Sequence, residues 1–105
     1  RTPDYNKGNG KDHWSIGSIV FLGAGIEGNR VIGETNEQQF ALPLDPKTLK
    51  TVDDNGIRVR PEHIHQALRQ FAGIADHAYS QQFPLGVKKS ERLTNLWENP
   101  ANNPE

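Results

Sequence analysis

Ser15-Ile16-Gly17-Ser18-Ile19-Val20-Phe21-Leu22-Gly23-Ala24-Gly25 is the stretch on which the fold turns. It is an almost continuous apolar block with β-branched and aromatic members, closed by two glycines. A short continuous block of this kind suits a strand buried on both faces of a sheet, although periodicity alone does not separate it from a helix segment. The expectation is therefore a central strand over 16–23. Arg30-Val31-Ile32-Gly33 follows as a second, shorter strand over 30–33, joined to the first by the glycine-rich stretch 23–29.

Working outward, residues 1–11 are polar and rich in turn formers, with Pro3 and Gly8-Asn9-Gly10, and read as a surface loop. Between Thr35 and Pro46 no period persists, which leaves an edge strand or a loop. Thr48 to Val52 and Ile57 to Val59 flank Asp53-Asp54-Asn55-Gly56, and an Asn-Gly pair in that setting predicts a hairpin over 48–59. Pro61 suits the first helical position, Glu62 complements the dipole, and Ile64, Ala67, Leu68 and Phe71 recur on one helix face. The spacing predicts a helix over 61–72, with Gly73 as its left-handed cap. Asp76 to Gln82 has room for one or two helical turns, Phe83-Pro84-Leu85-Gly86 for an apolar bend onto the core, and Ser90 caps a last short helix carrying Leu93, Leu96 and Trp97. Residues 99–105 offer nothing to bury and are expected to form a disordered tail.

Composition narrows the function. Leu, Ile, Val and Phe supply 24 of 105 residues, enough for one modest core. Twelve Lys and Arg face 13 Asp and Glu, for a formal net charge of -1, so there is no basic footprint for nucleic acid or an anionic membrane. No apolar run approaches the roughly 20 residues of a membrane helix. Without cysteine there is no disulfide, thiolate nucleophile or zinc-thiolate site, and only histidine and carboxylate ligands remain. The chain opens on Arg1 rather than a methionine, and is expected to be a processed or excised segment.

Gly23-Ala24-Gly25-Ile26-Glu27-Gly28 matches the dinucleotide fingerprint G-x-G-x-x-G, yet no helix pattern opens at its second glycine to present free amides to a phosphate. A glycine turn is the expectation. Gly10-Lys11 has the wrong glycine spacing for a phosphate loop. His63 and His65 lie two apart on a helix, hence on different faces, and are expected as solvent-facing polar positions; His77 stands alone. Asp12-His13-Trp14 differs, because it stands where a polar loop meets an apolar strand, a place from which a scaffold can aim a side chain into a cleft. A neutral imidazole there could ligate a divalent ion with a carboxylate beside it, though a metal centre needs further ligands.

Arg1-Thr2-Pro3, Gly10-Lys11-Asp12-His13-Trp14, the apolar stretch, Gly23-Ala24-Gly25 and Val31-Ile32-Gly33-Glu34-Thr35 together resemble the C-terminal end of a bacterial sulfatase-like family catalogued as a domain of unknown function. The family pattern runs approximately G-R-T-P, a polar loop, then G-R-D-H-W, with Lys11 standing where arginine is usual. Arg60-Pro61-Glu62-His63-Ile64 through Ala72-Gly73-Ile74 resembles its closing helix, and Phe83-Pro84-Leu85-Gly86 the segment after it. The resemblance covers most of residues 1–86. The same order of elements is similar to the end of the alkaline phosphatase and sulfatase superfamily.

That resemblance implies an α/β fold in which residues 1–98 form the C-terminal segment of one alkaline phosphatase-like domain, a fragment of its sandwich. It implies an exported, periplasmic, metal-dependent sulfatase- or phosphatase-like hydrolase whose nucleophile and most metal ligands lie N-terminal to this segment, so that the chain alone is inactive. His13, with Asp12, matches the metal-ligand position for zinc, manganese or calcium, and Arg1 and Lys11 stand where they could offset substrate charge. The implied partners are the missing N-terminal part of the same domain and, through an exposed sheet edge, a second copy of the chain. The alternative is a non-catalytic binding or scaffold protein of the same fold, in which Asp12 and His13 tie the loop to the strand.

Overall fold

The computed structural model describes residues 1–98. Its regular elements are α1 (Pro61–Phe71), α2 (Ala78–Gln82) and a one-turn 3-10 helix at Lys89–Glu91. The tail expected over 99–105 lies outside the described residues.

The helix expected over 61–72 is present as α1, and its ends show why. Pro61 takes the first position, where its missing N–H costs nothing. At the other end the amides of Gly73 and Ile74 donate to the carbonyls of Gln70 (3.1 Å) and Arg69 (3.0 Å), with Gly73 at φ +73°, which is the Schellman closure. The buried face, however, is His63, Gln66 and Ala67. Leu68 and Phe71, expected to share that face with Ala67, sit at its rim, where the Phe71 ring lies 4.5 Å from that of Trp97.

The core gathers Leu44 and Leu49 from a loop, Ala67 from α1, and Leu93, Leu96 and Trp97 from the C-terminal stretch, with Ile26, Ile32, Ile57 and Ile64 packed against it. Leu93, Leu96 and Trp97 are therefore core residues, but no helix carries them. The turn at Lys89–Glu91 ends before them, and the chain runs on extended: Glu27 N–H donates to the Leu96 carbonyl (3.1 Å) and Glu98 N–H to that of Gly25 (2.8 Å). The bend at 83–86 does not fold onto this core either, since Phe83 is exposed.

The α/β sandwich fragment is not what forms. Among the described residues β-pairing is limited to isolated bridges, at Ile26–Trp97, Thr35–Ala41, Leu44–Thr51 and Leu44–Ile57. The stretch expected as a central strand over 16–23 is extended but pairs with nothing. None of the backbone amides of 15–22 donates to another described backbone group, and Leu22 is 89% exposed. The short strand over 30–33 is likewise unpaired, with Val31 93% exposed. The cause is that β-propensity is a preference for a half-buried pleated surface, and no neighbouring edge supplies one here. Phe21 turns inward, meeting Trp97 edge to face at 6.1 Å.

The hairpin over 48–59 fails differently. Its turn is present, with Asn55 at φ +61°, but the two arms pair with a third segment rather than with each other. Leu44 exchanges both backbone bonds with Ile57 (2.8 Å each), while Asp45 N–H donates to the Lys50 carbonyl (2.9 Å) and Val52 N–H to that of Pro43 (3.0 Å). Segment 43–45 is thus wedged between the arms. Gly56 permits this: a Cβ there would stand 2.6 Å from Val52 Cγ2 and 2.9 Å from the Leu44 carbonyl oxygen. The described residues form an elongated body, with a radius of gyration of 16.0 Å, against about 13 Å for a compact domain of this length.

Candidate functional site

The loop of residues 1–12 is held by Asn6. Its Oδ1 accepts the amides of Gly8 (2.9 Å) and Gly10 (3.0 Å), and its Nδ2 donates to Asp12 Oδ1 (2.9 Å). Thr2 and Asp12 close the base: Thr2 N–H donates to the Asp12 carbonyl (3.0 Å) and Asp12 N–H to Thr2 Oγ1 (3.1 Å). Arg1 Nη1 donates to the Lys11 carbonyl (3.2 Å), and the Lys11 ammonium sits 5.0 Å from the centre of the Tyr5 ring. Three of the four singled-out side chains, Arg1, Lys11 and Asp12, are therefore brought together by one loop.

His13 follows, exposed on the next residue. Zinc centres take three or four protein ligands. Among the described residues no group of three or more His, Asp and Glu side chains is placed to hold an ion. Asp12 and His13 alone do not fit a metal, and the Asp12 carboxylate already serves Asn6.

Beside this loop lies a cleft of about 410 Å³, walled by Thr2, Tyr5 and Asp12 on one side and Trp14, Gln38 and Phe40 on the other. Trp14 is tied to the backbone and ring of its own wall. Its indole N–H donates to the Gln39 carbonyl (2.9 Å), and its ring meets that of Phe40 at 5.3 Å and 41°. A second cleft of about 400 Å³ runs between the Asp45 turn and Ser90-Glu91. Its acidic groups are spoken for: Asp45 Oδ1 accepts the amides of Lys47 (2.8 Å) and Thr48 (3.0 Å), and Glu91 Oε1 that of Lys88 (3.2 Å). Those two amides, Thr48 first and then Lys47, hold the Asp45 carboxyl below its ordinary range.

The glycine-rich stretch at 23–28 forms a turn, with Ile26 N–H reaching the Gly23 carbonyl (3.4 Å), and no helix opens there. His65 is exposed as expected. His63 is not: it is 2% exposed, and its Nδ1 accepts the Arg60 backbone amide at 2.9 Å. Its position as the third residue of a helix after an extended Arg60 was the available signal, because that is where a side-chain acceptor reaches back to the cap amide. His77 does similar work for α2, its Nδ1 accepting from Tyr79 N–H (3.1 Å).

No helix among the described residues is long and apolar enough to cross a membrane. Comparison with protein-family models, curated proteins and solved structures finds no match for this chain.

Proposed function

We propose that this chain is an association segment of a metal-dependent sulfatase- or phosphatase-like hydrolase, inactive by itself, which joins the body that carries the nucleophile and the remaining metal ligands. One observation carries it. The extended stretch directly after Asp12-His13 holds no charged residue from Trp14 to Ile26, exposes Ile19, Val20 and Leu22, and over 15–22 leaves its amides without described backbone acceptors. Backbone groups of that kind seek a strand edge, and an uncharged β-prone stretch has no gatekeeper against pairing. Joined in this way, His13 would be delivered beside the partner's ligands, and Arg1 and Lys11 would face an anionic phosphoryl or sulfuryl group. Periplasmic export belongs to the same resemblance.

The test is turnover of aryl phosphate and aryl sulfate by the full-length gene product and by this chain, each supplemented with zinc or manganese. The expected result is turnover by the former alone, lowered by His13→Ala. Absence of both bound ion and turnover in the full-length protein overturns the hydrolase.

A non-catalytic binding or scaffold role is the second reading, and a specific contact favours it. The Asp12 carboxylate and amide are both engaged inside the loop, by Asn6 and Thr2, which is the work of a brace.

A further inference from the structure

Two asparagine-centred loops face each other across the Trp14 cleft. On one side Asn6 gathers Gly8, Gly10 and Asp12. On the other, Asn36 Oδ1 accepts the amides of Gln38 (2.9 Å) and Phe40 (3.0 Å), and Asn36 N–H donates to the Phe40 carbonyl (2.9 Å). Neither loop contributes a residue to the buried core. Their internal bonding orders surface groups rather than packing an interior, and what they order is a cleft that mixes ring faces with amide, hydroxyl and carboxylate groups.

We propose that this cleft binds a neutral carbohydrate unit. The ring faces come from Trp14, whose tilt is fixed by its bond to the Gln39 carbonyl, and from Phe40, which is 50% exposed and inclined to it at 41°. The negative face of an aromatic ring attracts the C–H groups on the apolar side of a sugar, while the surrounding polar groups take its hydroxyls. Gln38 offers both a donor and an acceptor, Thr2 a hydroxyl, and Asp12 the carboxylate oxygen that Asn6 leaves over. The charged side chains that line the cleft are the carboxylates of Asp4 and Asp12, which turn away an anion. Arg1, bonded to the Lys11 carbonyl, and Lys11, over Tyr5, stand outside that lining. A neutral polyol uses both carboxylates as hydrogen-bond acceptors without bringing a charge of its own. Its volume of about 410 Å³ lies within the usual range of small-molecule sites, about 300–1,000 Å³.

Sugar binding here does not rest on the hydrolase proposal, because it needs neither His13 nor a metal and would hold equally for a scaffold. The chain's two tryptophans give two indole N–H signals, so Trp14 can be followed by NMR while Trp97, buried in the core, serves as internal reference. Cello-, xylo-, malto- and galacto-oligosaccharides are titrated into the intact chain, with tetramethylammonium and inorganic sulfate as charged controls. The expected result is a saturable shift of the Trp14 signal with at least one neutral series and none with either ion. Phe40→Ala should weaken that binding by about tenfold, the equivalent of one lost stacking face, and Gln38→Ala should weaken it with the helical circular dichroism unchanged. Silence with every oligosaccharide overturns the proposal, as does a response to either ion without the sugars. Equal affinity in Phe40→Ala also overturns it, and because Phe40 is half exposed that variant keeps the core intact.

Discussion

His63 accepts the backbone amide of Arg60 through Nδ1 at 2.9 Å, and the amide of His63 donates back to the Arg60 carbonyl at 3.0 Å. This reciprocal pair does at the start of α1 what a glutamate or glutamine does in a capping box. It also fixes the tautomer, since an Nδ1 that accepts leaves the proton on Nε2, which is buried without a partner. Burial first, and then the Arg60 guanidinium, hold this imidazole below its ordinary pKa, against the opposing pull of Glu91 and Glu62.

The pH dependence follows. In the unfolded chain His63 takes up a proton near pH 6.5, whereas in the folded chain it resists until lower pH. Between those two values the unfolded state binds more protons, so stability is full above about 6.5 and is lost as the pH falls from there toward the folded value, with a slope of at most about 1.4 kcal/mol per pH unit. His63→Gln keeps an acceptor for Arg60 and removes the titration. Urea melts at pH 7 and pH 5 should show a smaller loss for the variant than for the parent chain. Equal losses would mean that other groups carry the effect.

Three glycine-to-alanine substitutions separate crowding, backbone strain and indifference. Gly56→Ala drives a methyl group against Val52 Cγ2 and the Leu44 backbone, and overpacking of that kind costs about 1–3 kcal/mol. Gly73→Ala meets no atom within 4 Å but must hold φ +73°, at a cost of about 1–2 kcal/mol. Gly17→Ala meets neither obstacle and should change stability by no more than about 0.5 kcal/mol. Chemical denaturation of the set should rank them in that order, and a destabilised Gly17→Ala would place residue 17 in a packed environment.

Leu44 is 2% exposed and is the residue on which both arms of the 48–59 segment converge. Leu44→Ala should cost about 2–5 kcal/mol, the range for deleting a buried leucine side chain. Leu49→Ala tests a subtler balance. Leu49 is also buried, but it holds φ +63°, which a leucine tolerates poorly, so its side chain offsets a strain that alanine would keep. The Leu49 loss should fall in the same range, and Leu49→Gly should recover part of it. No recovery would mean that the left-handed backbone there is not strained.

The parts of this fold that were legible in the sequence are those whose causes are local. Pro61, Glu62 and Gly73 fix the two ends of α1 within a few residues of themselves, and Asn55-Gly56 fixes a turn. What those residues could not show was the partner on the far side. The arms flanking Asn55-Gly56 satisfy their amides on Pro43, Leu44 and Asp45, which no hairpin pattern encodes. His63 escaped notice because its polarity suggested solvent, while its value to the helix lies in one lone pair aimed backward. At the loop, Pro3 and Gly8-Asn9-Gly10 showed a turn-rich segment but not that Asn6 and Thr2 would close it on Asp12, and the Trp14–Phe40 contact joins residues 26 apart and depends on the Asn36 turn.

Ile16 to Leu22 misled for the same reason, and its behaviour in solution can be measured. β-branched and aromatic side chains favour a strand only when an edge receives them, and here the edge is missing among the described residues. Backbone amides of 15–22 should then exchange quickly in dilute chain, whereas those within α1, bonded along the helix, should be protected. Raising the concentration should slow exchange in 15–22, because an uncharged, β-prone stretch with free donors and acceptors is where a second copy can pair without opposing like charges. Val20→Lys places a charge on that stretch without touching the core and should shift light scattering toward monomer. Scattering from a monomer at every concentration in the parent chain, with 15–22 still fast to exchange, would show that the stretch does not pair with itself and reserve it for a different partner.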